Sequence, residues 1–139
     1  MSEVLEAPPR PAFANFVGGE WRQSSSGKTY EKRGPWRPSE AIGDFPASSA
    51  TDVDAAVEAA AAAFPAWSRR PAAQRAAILM GAADAIERRI EQIAQDMTLE
   101  MGKPVREARM EAARGAAILR YFAGEAWRLL SSHYERVLE

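Results

Sequence analysis

The chain has 139 residues, 18 of them Lys or Arg and 19 Asp or Glu, which gives a net charge of −1. This length fits one domain or part of one, and the balanced charge gives no electrostatic reason to expect binding to nucleic acid or to an anionic membrane. The absence of cysteine and the single histidine, His133, exclude disulfides, thiolate and multi-histidine metal sites, and a cysteine nucleophile within these residues.

Residues 1–14 are rich in Pro and Ala and lack the basic start and apolar run of a signal peptide, so we expect a flexible tail there. The longest apolar stretch, residues 59–65, is too short to cross a bilayer. We therefore predict a cytoplasmic protein without a membrane segment.

Short strands are predicted between residues 15 and 45. Gly18 and Gly19 separate two short apolar stretches in residues 15–21, and glycines accept the positive φ angles of a tight hairpin turn. Residues 29–33 and 41–45 are predicted as two further extended runs. The turn between them, at residues 34–38, contains Pro35 and Pro38, which disfavour helix.

Three long helices are predicted after these strands. The first begins at a capping box, formed either by Ser49 with Asp52 or by Thr51 with Asp54, and Pro65 is expected to end it. The second begins at Pro71 and ends at Gly102, and the third opens at Pro104. Apolar side chains recur along all three at helical spacing, among them Val53, Val57, Phe64, Leu79, Ala82, Ile86, Ile90, Ile93, Met97, Ala108, Ala112, Ala116 and Leu119.

Alanine makes up much of the apolar content, and it favours helix while burying little area. Small residues at positions 108, 112, 115 and 116 allow a neighbouring backbone to approach closely. The elements do not alternate as βαβ units, so a complete doubly wound sheet does not fit within these residues. The sequence predicts an α-rich chain, with a β-hairpin followed by three long helices.

The motifs that carry chemistry are weak. Gly102-Lys103 is followed by proline instead of the Ser or Thr of a phosphate-binding loop, and no helix signal follows Gly18-Gly19 as a dinucleotide fingerprint requires. His133 has no visible catalytic partners and is interpreted as a surface residue. The spacing of Tyr121 and Phe122 favours a place in the core over a ligand platform.

Glu107 and Glu111 lie four residues apart among several arginines. They fit either an acid/base pocket or a solvated helix face with i,i+4 ion pairs, and the second interpretation is favoured. The residues by themselves thus predict a soluble, mainly helical domain without a catalytic, metal or cofactor site.

Several segments within about residues 15 to 135 form an ordered set: the hairpin at 15–21, residues 52–57 with 63–67, residues 71–75 with 78–79, Thr98 to Pro104, residues 107–109 and residues 120–124. Together, and in this order, they resemble the N-terminal portion of the aldehyde dehydrogenase superfamily, with some likeness to a semialdehyde dehydrogenase subgroup. Thr98-Leu99-Glu100-Met101-Gly102-Lys103-Pro104 is the most specific. One departure is Gly34-Pro35, where the family often has Asn-Pro.

The resemblance implies that residues 15–139 form the N-terminal, truncated part of a cofactor-binding domain whose Rossmann-like sheet is incomplete. Members oxidise an aldehyde to a carboxylic acid with NAD or NADP, using a cysteine nucleophile, a glutamate base and an asparagine in the oxyanion hole. No catalytic or cofactor-binding residue carries over to this chain, because those positions lie later in the family. We expect these residues not to bind the cofactor well and the full-length parent to be a homo-oligomer.

The resemblance also places one face of the third helix along the substrate entrance tunnel. Arg114 and Tyr121 are the candidates for that face, and an arginine there suits the carboxylate of an acidic semialdehyde such as 2-oxoglutarate semialdehyde. The predicted function is therefore that of an N-terminal fragment of an NAD(P)-dependent aldehyde dehydrogenase, inactive alone. The alternative is a helical protein-interaction module without catalysis.

Overall fold

The structure is a computed structural model that describes residues 11–137, apart from the side chains of Trp127 and of residues 129–137. In chain order its elements are β1 (Asn15–Val17), β2 (Glu20–Arg22), β3 (Thr29–Gly34), β4 (Arg37–Pro46), α1 (Ala50–Arg69), α2 (Ala72–Arg88), α3 (Ile90–Met101) and α4 (Val105–Val137). The chain divides into two compact units between Ala62 and Ala63. We call them the N-terminal unit and the helical unit.

The predicted hairpin is present at the start of the N-terminal unit. Strands β1 and β2 pair antiparallel with Phe16 opposite Trp21, and the two rings lie 5.0 Å apart. Gly18 and Gly19, with φ angles of 63° and 87°, make the turn between them. The glycine pair is needed there because L-residues with a Cβ rarely adopt such angles.

A second antiparallel pair, β3 and β4, confirms the two predicted extended runs and lengthens the latter, which spans Arg37–Pro46. Residues 11–13, the end of the predicted tail, run beside β4, where Phe13 stacks on Phe45 with ring centroids 4.3 Å apart. A Cβ on Gly43 would lie 2.5 Å from the Phe13 ring. Glycine at this position therefore permits the close approach. Residues 1–10 of the predicted tail lie outside the described residues.

Helix α1 begins at the Ser49–Asp52 capping box, one of the two predicted alternatives. The expectation that Pro65 ends the helix is wrong, since α1 continues through Pro65 to Arg69. Proline removes the hydrogen bond to the carbonyl of Ala61, but α1 is exposed along this stretch, so that carbonyl remains accessible to water. None of the twenty described residues of α1 is buried.

The second predicted helix is divided into α2 and α3 at Arg89. This residue has φ −112° and ψ 14°, and its N–H donates to the carbonyl of Ile86, 3.0 Å away, instead of continuing the α-helical pattern. The sequence has neither Pro nor Gly at this point, so nothing local indicates the break. Gly102 ends α3 with φ 74°, and Pro104 precedes α4, both as predicted.

The helical unit is held together by alanine. Helix α4 packs against α2 and α3, and the buried apolar residues in the described part of the chain are all alanines: Ala76, Ala83, Ala94, Ala108, Ala112, Ala116 and Ala123. Small side chains at the contact let helix axes come close, as predicted for positions 108, 112 and 116. The fourth predicted position, Gly115, is not buried there and instead lines the groove described below. The α-rich fold class is confirmed, with the second helix in two pieces.

Candidate functional site

The alanine face of α4 leaves the opposite face of the helix uncovered. Met110, Arg114, Ile118 and Tyr121 follow one another at steps of three and four residues and therefore share that outer face. Met110 is 59% exposed, Ile118 47% and Tyr121 63%. The outer face of α4, defined by these four residues, combines apolar side chains with one guanidinium.

A depression of about 760 Å³ lies along this face. Its lining residues are Arg106, Glu107, Met110, Glu111, Arg114, Gly115 and Ile118. The volume falls in the range of small-molecule sites, but α4 supplies every described lining residue, so the depression is an open groove with a single wall. A closed site here would need a second wall.

The two predicted site residues are placed differently relative to this groove. Arg114 lines it near its middle, whereas Tyr121 lies seven residues further along the same helix face and is not among the lining residues. Tyr121 packs edge-on against Phe122, with ring centroids 5.3 Å apart. The expectation that this aromatic pair belongs to the core is wrong, because Tyr121 is 63% and Phe122 57% exposed.

The carboxylate nearest to Arg114 along α4, that of Glu111, is already paired elsewhere. Glu111 forms an ion pair with Lys103, in the short segment between α3 and α4. Arg114 has no carboxylate within ion-pair distance among the described residues of the chain. The groove therefore carries a guanidinium that is available to an anionic group.

Carboxylates of α2 and α3 join those helices to α4. Arg109 binds Glu91 of α3 at 2.6 and 2.8 Å, and Arg120 binds both Glu87 and Asp84 of α2, the latter at 2.6 Å. The hydrogen bond from Arg109 holds the pKa of Glu91 below its ordinary value, so this carboxylate stays ionised and is unsuited to acid catalysis. The i,i+4 ion pairs expected around Glu107 and Glu111 are not found among the described residues, where Glu111 pairs with Lys103. The pairs of Arg109 and Arg120 run between helices, whereas that of Arg128 with Glu125 lies within α4.

A second polar cluster lies in the N-terminal unit, around Asp52. Its carboxylate accepts hydrogen bonds from the backbone N–H groups of Ser49 and Ser25, both at 2.7 Å, and from the hydroxyls of Ser24, Ser25 and Ser49. The backbone N–H of Ser49 first, and that of Ser25 second, lower the pKa of Asp52 to about 2. The sequence predicted the Ser49 contact but not the loop serines, because the loop is remote in sequence from the helix it contacts.

The described residues do not form a dinucleotide cradle. Each sheet in residues 11–137 is a two-stranded antiparallel pair, and β2 instead of a helix follows the Gly18-Gly19 turn. A nicotinamide cofactor is held where parallel strands lead into glycine-rich turns and helix N-termini. No described group of His, Asp and Glu could hold a metal ion, and no described helix is long and apolar enough to cross a membrane. The side chain of His133 lies outside the described residues.

Comparison with known proteins gives consistent matches. The model of the aldehyde dehydrogenase family matches residues 21–136. The α-ketoglutaric semialdehyde dehydrogenase of Bacillus subtilis (strain 168) is 44% identical over 128 residues, which are 92% of this chain and 26% of that protein. The fluoroacetaldehyde dehydrogenase of Streptantibioticus cattleyicolor is 38% identical over 117 residues, 83% of this chain and 23% of that protein.

Solved structures agree with these relatives. The NAD-dependent aldehyde dehydrogenase of Sinorhizobium meliloti superposes with a TM-score of 0.79 and 36% identity, covering 84% of this chain and 24% of that one. Matched structures also include PnpE in complex with nicotinamide adenine dinucleotide and an NADP-dependent enzyme of E. coli. This chain spans about a quarter of the length of the relatives it matches.

Proposed function

This chain belongs to the aldehyde dehydrogenase family, and from that membership we propose that it is the N-terminal part of the cofactor-binding domain of an enzyme that oxidises a carboxylate-bearing aldehyde. In this proposal residues 15–139 are scaffold, and the outer face of α4 forms one wall of the substrate entrance. The observation that carries the proposal is Arg114, exposed in the middle of the groove with no carboxylate partner among the described residues.

The chemistry of arginine supports an acidic substrate. A guanidinium presents parallel N–H donors that match the two oxygens of a carboxylate, whereas a neutral aldehyde offers nothing to pair with it. Met110 and Ile118, one turn to either side of Arg114, supply the apolar contact that the carbon chain of a semialdehyde needs. The name of the Bacillus subtilis relative, α-ketoglutaric semialdehyde dehydrogenase, indicates a semialdehyde of this class as its substrate. Tyr121 is proposed to line the same wall further along α4.

The reacting groups are expected outside these residues. The sequence contains no cysteine, so the thiol that attacks the aldehyde would come from other parts of the parent enzyme. NAD or NADP would accept the hydride there, since the described residues here do not fit a dinucleotide. A cytoplasmic location, homo-oligomeric assembly and lack of activity in the isolated chain stay predictions. The reported relatives are dehydrogenases, so none favours the alternative of an independent interaction module.

The experiment places this chain in a working enzyme. Residues 15–137 replace the matching segment of the Bacillus subtilis dehydrogenase, and Arg114→Ala is then introduced into the chimera. Loss of a charge-assisted hydrogen-bonded pair is expected to raise KM for 2-oxoglutarate semialdehyde about 10- to 100-fold, with little change for propionaldehyde.

Arg88→Ala is the control for this experiment. It removes the same charge from an exposed position on α2, away from the groove. It should leave both KM values within about twofold, a difference worth under half a kcal/mol. Equal increases for the acidic and the neutral aldehyde in Arg114→Ala would overturn the proposal.

A further inference from the structure

Lys103 and Glu111 explain why the guanidinium of Arg114 is available. We propose that Lys103 is a positioning residue that holds the Glu111 carboxylate away from Arg114 and thereby keeps the arginine free for a substrate carboxylate. The link to substrate rests on the proposed function, whereas the charge arrangement itself is a property of this chain that can be tested without any substrate.

Glu111 lies beside Arg114 on the surface of α4. Glu111 and Arg114 are three residues apart and line the same groove, so their side chains are neighbours on the helix surface. Oppositely charged side chains at this spacing ordinarily pair with each other. Glu111 is 53% exposed and therefore free to take another rotamer, yet its carboxylate is directed to Lys103.

The backbone of the segment that carries Lys103 is restricted on both sides. Gly102 ends α3 in the left-handed conformation, with its N–H bonded to the carbonyl of Thr98 at 2.9 Å. Pro104 follows directly, and its carbonyl accepts the first hydrogen bonds of α4. Lys103 lies between a glycine cap and a proline, so its backbone is fixed. Its side chain is only 28% exposed, which is low for lysine and consistent with a defined position over α4.

Removal of the Lys103 ammonium would let Glu111 compete with a substrate carboxylate for Arg114. A freed Glu111 has Arg114 one turn away and Glu107, of like charge, one turn in the other direction. Pairing with Arg114 therefore becomes its nearest favourable arrangement. An incoming carboxylate would then have to displace Glu111 from the guanidinium and would meet an uncompensated negative charge beside it.

A purely structural role for Lys103 makes a different prediction. If the lysine only braced the segment between α3 and α4, its loss would disturb acidic and neutral substrates alike, and changing Glu111 would not repair the defect. If it acts through Glu111, neutralising that carboxylate should restore the wild-type behaviour. The two roles are separated by Lys103→Met alone and in combination with Glu111→Gln.

The decisive measurement is made on the 139-residue chain itself. The Nε–Hε signal of Arg114, assigned with an Arg114→Lys variant, reports by NMR whether the guanidinium is paired. We expect this signal to shift, with slower rotation of the guanidinium, in Lys103→Met, and to return to its wild-type position in Lys103→Met/Glu111→Gln. Lys103→Arg keeps the ion pair and should leave the signal unchanged. A signal that does not move in Lys103→Met overturns the inference.

Kinetics in the Bacillus subtilis chimera test the consequence for substrate. Lys103→Met should raise KM for 2-oxoglutarate semialdehyde about 3- to 10-fold, leave kcat and the KM for propionaldehyde nearly unchanged, and be rescued by Glu111→Gln. Failure of rescue overturns the inference even if Arg114→Ala confirms the acidic substrate. If the Arg114 signal shifts in Lys103→Met and returns in the double variant, but Arg114→Ala affects both aldehydes equally, the proposed function is overturned instead.

Discussion

Replacing Ala116 by leucine tests whether alanine is required where α4 packs in the helical unit. Ala116 is fully buried on the face of α4 that meets α2 and α3, and leucine adds an isopropyl group for which the contact has no room. Overpacking of this kind costs about 1–3 kcal/mol, while the difference in helix propensity between the two residues is only a few tenths. We therefore expect a loss of unfolding free energy set almost entirely by packing.

The neighbouring position provides the matched control. Ala117 lies on the exposed side of α4. Ala117→Leu therefore gives a protein of the same composition as Ala116→Leu, with almost the same change in helix propensity but without the clash. Urea unfolding followed by far-UV circular dichroism compares the two variants. With a slope of about 1 kcal/mol per molar urea for a unit of this size, Ala116→Leu should lower the midpoint by about 1 M or more. A midpoint that falls equally in both variants, or in Ala117→Leu alone, would refute the packing argument.

Three further outcomes are expected. The pKa of Asp52 falls from 3.8 to about 2 on folding, so its contribution to stability is complete above about pH 4 and is lost as the pH falls through 2. Protection of the Ser25 amide from hydrogen exchange should report this loss. Protection that persists below pH 2 would contradict it. Gly102→Ala forces an L-residue to φ 74° and should cost about 1–2 kcal/mol in urea unfolding, whereas Gly124→Ala, with open space around its Cβ inside α4, should stabilise by about 0.5–1 kcal/mol. The isolated chain should bind the dye ANS strongly, because large apolar side chains such as Trp21 at 73% and Phe64 at 64% are exposed; fluorescence no higher than that of a compact control protein would count against it.

Local signals in the sequence determined the turns and most helix ends. The Gly18-Gly19 hairpin, the Ser49–Asp52 cap and the Gly102 cap each depend on the conformational preferences of a few consecutive residues, and each is present as predicted. The alanine spacing of α4 likewise predicted its packed face. The ordered motifs, including Thr98 to Pro104, indicated the family, which the match over residues 21–136 confirms.

Tertiary structure decided what those local signals could not. No glycine or proline in the sequence marks the break between α2 and α3 at Arg89. Helix α1 continues through Pro65, although proline ordinarily ends a helix. The exposed position of Tyr121 was also misjudged, because helical spacing identifies residues that share a face but not the element that covers it.

The ion pairs that join α4 to its neighbours depend on contacts between separate elements. Arg109 and Arg120 of α4 pair with carboxylates of α3 and α2 because of how the helices pack in space. The pair of Lys103 with Glu111 spans only eight residues and depends on the conformation of the short segment before α4. A sequence lists which charges a chain carries and which are neighbours on one helix. Only the packing of separate helices fixes which charges meet, since an ion pair forms over a few ångströms whatever the separation along the chain.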